Sequence, residues 1–181
     1  MENEIKKLKS DELIFKTYLQ SAPHFNIDND NKHIQFGNPE SSFVITMVTS
    51  PTCGPCAAIH NQLEELLDQY EDDIQVQLIY AVNSNNEKQN NAVKWLLGIY
   101  LSYDPLKVTE IYNEWYSSGK QDFNNFCLKY PINQEDPRIQ EIYNSHRAWC
   151  KASNVTVTPT LYVNGYKLPN LYQVGDLKYF I

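Results

Sequence analysis

"TSPTCGPCAAIH", residues 49–60, sets Cys53 and Cys56 two residues apart at the head of a helix-like run, directly after the apolar stretch "FVITMV" at 43–48. That spacing fits half a zinc site, a structural bridge or a redox pair. A cysteine just ahead of a helix faces unpaired backbone N–H groups and the positive end of the helix dipole, and both favour thiolate over thiol. Cys53 holds that place and is the expected nucleophile. Cys56 falls inside the first turn, more shielded, and is the expected resolving thiol that attacks a mixed disulfide formed at Cys53. Gly54 and Pro55 complete the motif; proline is tolerated there because the first turn loses no N–H partner.

The rest of the chain bears on the other two readings. A structural zinc needs four ligands, as two such pairs or as a pair with two closely spaced histidines. Cys127 and Cys150 are far apart, and His24, His33, His60 and His146 form no matching pair, so no metal is expected. A chain of 181 residues buries a sizeable core without staples, which argues against a purely structural bridge. The spacing therefore points to redox chemistry, with no cofactor expected. A net charge of −7 without a basic cluster argues against nucleic acid as a partner.

Outward from the motif, Phe43–Val48 and "DIQVQLIYAV" read as buried strands flanking a helix from Pro55 to about Tyr70, whose apolar stripe is Ile59, Leu63, Leu66 and Leu67. Strand–helix–strand at this spacing is a βαβ unit. His33–Phe36 reads as a further short strand, and Ile5 to Leu19 as one or two short helices. Residues 83–153 read as wholly helical: a polar joint "NSNNEKQNN", a helix with Val93, Leu96 and Leu97, and a second started by Asp104-Pro105 and stopped by Gly119. A third helix carries Phe123, Phe126 and Cys127, and a fourth carries His146, Trp149 and Cys150. "TPTLYVNGYKLP" then reads as a hairpin turning at Asn164-Gly165, and "GDLKYFI" as a closing helix. The expected division is an N-terminal helical extension at 1–32, a main domain at 33–82 and 154–181, and an inserted helical subdomain at 83–153. Cys127 and Cys150 read as small buried hydrophobes, with pairing across two helices left open. His60 reads as an exposed helix histidine. The aromatic residues of the insert read as its core.

This order, β-Cys-Gly-Pro-Cys-α-β followed much later by Thr158-Pro159-Thr160 opening a hairpin, resembles the thioredoxin-like fold: an α/β architecture with a central mixed sheet flanked by helices. The helical insertion before Thr158 makes it similar to the DsbA-like thiol–disulfide oxidoreductases. "FGNPESSFVITMVTSPTCGPC" and "TPTLYVNGYKLP" resemble the thioredoxin-like domain fused to vitamin K epoxide reductase homologues in Bacteroidetes-type bacteria. The resemblance implies an enzyme that exchanges disulfides with protein cysteines. It implies that Pro159 is a cis-proline against the active site, and that the backbone of Thr158 pairs with an extended substrate strand. The fusion implies a membrane quinone-linked redox partner and a periplasmic home, a cytoplasmic location being the alternative. No apolar run is long enough to span a membrane, and the N-terminus lacks the pattern of a secretory signal. A non-catalytic binding or chaperone-like module is the alternative function.

Two positions depart from plain thioredoxins, which carry tryptophan where this chain has Thr52 and a buried acid where it has Met47. The missing acid bears on how readily Cys56 loses its proton. Gly54-Pro55 is the thioredoxin dipeptide, whose couple lies near about −270 mV against about −120 mV for DsbA. It leans reducing; the helical insertion leans the other way.

Overall fold

The computed structural model describes residues 2–27, 33–82 and 85–181. Strands β1 (Ile34–Gly37), β2 (Phe43–Thr49), β3 (Ile74–Tyr80), β4 (Thr160–Val163) and β5 (Tyr166–Lys167) form one sheet in the order β1-β3-β2-β4-β5. Helix α3 (Gly54–Tyr70) crosses between β2 and β3, which pair in parallel from Phe43 with Ile74 to Thr49 with Tyr80. A parallel pair needs such a crossover, so the helix carrying the cysteines is bound to start where β2 ends. β1 lies antiparallel to β3 on one edge; β4 lies antiparallel to β2, with β5 beyond it. The sheet is mixed, as expected.

Alternation divides the strand residues between two faces. Ile45, Met47, Val76, Leu78 and Tyr80 join the main core with Leu63, Leu66 and Leu67 of α3. On the opposite face Thr46 Oγ1 donates to Gln77 Oε1 at 3.2 Å and Gln77 Nε2 to Gln75 Oε1 at 2.9 Å, while Val48, Ile79 and Tyr162 form a separate apolar cluster against Phe25 and Trp149.

Between β3 and β4 stand α4 (Glu87–Ser102), α5 (Pro105–Ser117), a 3-10 turn (Gly119–Gln121), α6 (Phe123–Lys129) and α7 (Pro137–Ala152). Asp104 caps α5 as expected, its carboxylate accepting from Lys107 N at 3.1 Å. Tyr112, Trp115, Tyr116 and Phe126 are buried as the core of these helices. The β4–β5 turn has positive φ at both Asn164 (48°) and Gly165 (82°), the backbone a two-residue type I′ hairpin requires. Helices α1 (Glu2–Lys9) and α2 (Glu12–Ser21) precede the sheet; Phe15 of α2 stacks on Phe180 at 3.9 Å, tying the two ends of the chain together.

Several expectations change. The closing helix is a 3-10 helix, Val174–Tyr179. The buried stripe of α3 is Cys56, His60, Leu63, Leu66 and Leu67, with Ile59 only half-buried. His60 is therefore not an exposed residue: it lies four positions from Cys56 on the same face, 2 % exposed, because α5 packs over that face and supplies a polar partner. Cys127 and Cys150, whose pairing the sequence left open, are unbridged, as are Cys53 and Cys56. The polar joint expected at 83–91 begins on residues outside those described, as do the last five positions of the expected N-terminal extension.

Candidate active site

The site begins where β2 runs out. Ser50, Pro51 and Thr52 turn the chain, and Cys53 N–H donates to Ser50 O at 3.2 Å. Cys53 keeps an extended backbone (φ −80°, ψ 128°) and serves as the N-cap of α3, its Sγ accepting the Cys56 N–H at 3.3 Å. This is the geometry in which a side chain satisfies an orphan helix donor, here with sulfur in place of the usual oxygen. Cys53 is half-buried and Cys56 fully buried. Gly54 and Pro55 are exposed, and a Cβ built on Gly54 meets nothing within 4 Å. Glycine is not needed there to avoid a clash within the chain; its bareness leaves the approach to Cys53 open.

The Thr158–Pro159 peptide is cis, and Cys53 Sγ–H donates to the Thr158 carbonyl at 3.7 Å across 105 residues of sequence. Val157, one residue before, is 64 % exposed. The surface around Cys53 is thus built from Thr52, Gly54, Pro55 and the 157–159 loop. It is open rather than enclosed, which suits an extended chain better than a small molecule. A cavity of about 400 Å³ lies instead in the insert, lined by residues including Asn91, Trp95, Phe123 and Pro137, none of them at the dithiol.

Burial pushes the Cys56 thiol above its ordinary range, and the hydrogen bond with Cys53 pushes the same way. The Ser50 N–H and the hydroxyls of Thr49 and Thr158 pull it back down. Met47 lies wholly in the core, and no carboxylate stands among the groups acting on this thiol.

The insert reaches the site through contacts that the sequence reading did not find. Trp115 Nε1–H donates to Pro51 O at 2.9 Å, Gln89 Nε2 to Ser50 Oγ at 3.1 Å, and Thr49 Oγ1 lies 3.3 Å from Tyr116 Oη. His60 Nε2–H donates to Asn113 Oδ1 at 2.9 Å, while Asn113 donates to Glu64 Oε2 at 3.2 Å. Burial holds the His60 pKa down to about 4, so the ring is neutral near pH 7. The spacing of Cys56 and His60 carried a usable signal for the histidine's burial; Trp115 and Tyr116 carried none that separates them from ordinary core aromatics.

The mixed sheet, the paired cysteines at the head of α3 and the cis Thr158–Pro159 peptide together define a thioredoxin-fold protein. The family model described as thioredoxin matches residues 28–181, and the chain belongs to that family. Among solved structures it is similar to BdbD of Bacillus subtilis (11 % identity, TM-score 0.67, 87 % of this chain and 93 % of that one). It is similar to the catalytic domain of ScsC from Proteus mirabilis (16 %, 0.69, 83 % and 87 %). It is also similar to the thiol-disulfide exchange protein alpha-DsbA2 of Wolbachia pipientis (18 %, 0.66, 97 % and 95 %). No curated protein sequence matches significantly. No helix among the described residues is long and apolar enough to cross a membrane.

Proposed function

We propose that this chain exchanges disulfides with protein cysteines through Cys53 and Cys56. The observation that carries the reading is the setting of Cys53 Sγ: at the head of α3, 3.3 Å from the Cys56 N–H and 3.7 Å from the Thr158 carbonyl, on an open surface. As thiolate, Cys53 attacks one sulfur of a substrate disulfide; a new S–S bond forms, the old one breaks, and the second substrate sulfur leaves as thiolate and takes a proton. Cys56 loses its proton and attacks Cys53 Sγ, closing the Cys53–Cys56 bond and releasing the first substrate sulfur. Two electrons have passed to the substrate; the reverse sequence oxidises a substrate dithiol. The Thr158 backbone holds the substrate strand in register with Cys53.

Gly54-Pro55 favours a reducing couple, with Cys53–Cys56 nearer the thioredoxin potential than that of DsbA. The periplasm is the proposed compartment, and a membrane quinone-linked protein the proposed redox partner. Both rest on the resemblance of the motifs at 36–56 and 158–169 to the fused domains. The test is turnover with insulin as the disulfide substrate. Cys53→Ser is expected to fall to background; retained insulin reduction would overturn Cys53 as the nucleophile, and no turnover by the parent would leave a binding module as the better reading. Equilibration with glutathione should place the couple below about −180 mV, and a higher value would overturn its reducing character.

A further inference from the structure

Cys56 poses a problem that the redox cycle has to solve: a wholly buried thiol must become a thiolate to attack Cys53 Sγ, and burial disfavours that charge. Buried hydroxyls stand close to it: the side chain of Thr49, behind which lies Tyr116.

Thr49 is the last residue of β2, fully buried, and pairs in register with Tyr80 at the end of β3. Tyr116 reaches down from α5 to place its Oη 3.3 Å from Thr49 Oγ1. Beyond Tyr116 lie Tyr80 and Tyr112, both fully buried. Tyr112 commits its proton to Leu96 O at 2.9 Å, on α4. Tyr80 Oη is sealed from solvent beside the Tyr112 and Tyr116 hydroxyls, with no hydrogen bond of good geometry. Its proton is therefore uncommitted in this state of the site.

We propose that Thr49 and Tyr116 are positioning residues for the resolving thiol, forming with Tyr80 a chain of hydroxyls that closes onto Cys56 as its sulfur becomes charged. This rests on the reading of Cys56 as the resolving thiol. The donor count supports the direction. A hydroxyl has one proton and two lone pairs, so when Thr49 donates to the sulfur its oxygen is free to accept from Tyr116, and Tyr116 in turn from Tyr80. Every proton then points toward Cys56, and each bond strengthens the next in a dry environment. When Cys56 is a neutral thiol the hydroxyls are free to turn elsewhere, so the stabilisation favours the charged form. The titratable groups facing this line are Cys53 from the head of α3, Tyr116 and Tyr112 from α5, Tyr80 from β3, His146 of α7, whose ring lies 6.2 Å from that of Tyr80, and His60 of α3, whose ring stacks on Tyr116 at 4.3 Å and is neutral. Because Tyr116 belongs to the insert, the inserted helices act on the dithiol through Thr49.

The test titrates Cys56 alone, in a Cys53→Ser/Cys127→Ala/Cys150→Ala background, by the ultraviolet absorbance of its thiolate. Thr49→Val and Tyr116→Phe are each expected to raise the midpoint by about one unit, a roughly tenfold smaller thiolate fraction below it. Thr49→Ser restores the parent midpoint. With Cys53 present, Tyr116→Phe resolves a glutathione mixed disulfide about tenfold more slowly at neutral pH and converges with the parent at alkaline pH. Parent midpoints in both Thr49→Val and Tyr116→Phe would overturn the proposal, as would a Thr49→Ser shift as large as that of Thr49→Val. If Thr49→Val does not fold, Tyr116→Phe and Thr49→Ser decide. The titration reads the hydroxyl line whether or not the chain turns over insulin, so failure here is distinct from failure of the proposed function.

Discussion

The head of α3 and the inserted helices each hold two cysteines, and they hold them at opposite ends of their helices. Cys53 caps the start of a helix, where the Cys56 N–H meets its sulfur, and Cys56 sits in the first turn. Cys127 and Cys150 lie in the last turns of α6 and α7, where the negative end of the helix disfavours a thiolate. Burial pushes both of their thiols up to about 11. Cys150 donates toward Tyr80 O at 3.8 Å, as a hydrogen-bonding core residue does. The contrast teaches that a cysteine's chemistry here is set by which end of a helix it occupies and what covers it.

The largest expected effect breaks this comparison outright. At pH 7, Cys127 and Cys150 hold roughly one part in ten thousand as thiolate. Brief alkylation of the folded, reduced protein should therefore leave both unmodified, and the double variant Cys127→Ala/Cys150→Ala should keep the parent's insulin-reduction rate. Peptide mapping that finds either thiol labelled as fast as Cys53 would erase the distinction.

A smaller effect sharpens the seam between the two regions. His60 titrates at about 4 in the fold against about 6.5 when unfolded, so the unfolded chain binds the extra proton first. Its contribution is fully present above about pH 6.5 and is lost as pH falls through about 4, amounting to about 3 kcal/mol. Glu64, held above its ordinary range by burial, works the other way: its share is present at low pH and lost as pH rises. His60→Gln should flatten the acid limb of stability between those two pH values in denaturant titrations; an unchanged limb would place the acid sensitivity elsewhere.

Smallest is Trp115→Phe, which removes the Nε1–H that α5 offers to Pro51 O and leaves a buried carbonyl unpaired. A loss of about 1–2 kcal/mol is expected by thermal or denaturant unfolding. No loss would mean that the loop before Cys53 does not depend on the insert.

Much of this was legible beforehand. Asp104-Pro105, Asn164-Gly165 and Cys53 ahead of Pro55 each announced a cap or turn, because such signals act within a few residues. His60 was misread because an imidazole one turn beyond a redox motif looks like a surface residue until its spacing from Cys56, Leu63 and Leu67 is weighed. The closing segment was legible as a helix but not in type, since Val174–Tyr179 is too short for apolar periodicity to separate an α-helix from a 3-10 helix.

The sequence by itself determined the order of strands and helices, the caps that start them and the dithiol's place at a helix head, all governed by neighbours in the chain. Only the tertiary structure decided that the Thr158 carbonyl meets Cys53 across 105 residues, that α5 buries His60, and that Tyr116 stands behind Thr49. The reason is physical. Those contacts join side chains from distant elements once the core closes, and along the chain each such residue has the same apolar spacing as any other buried aromatic or polar group.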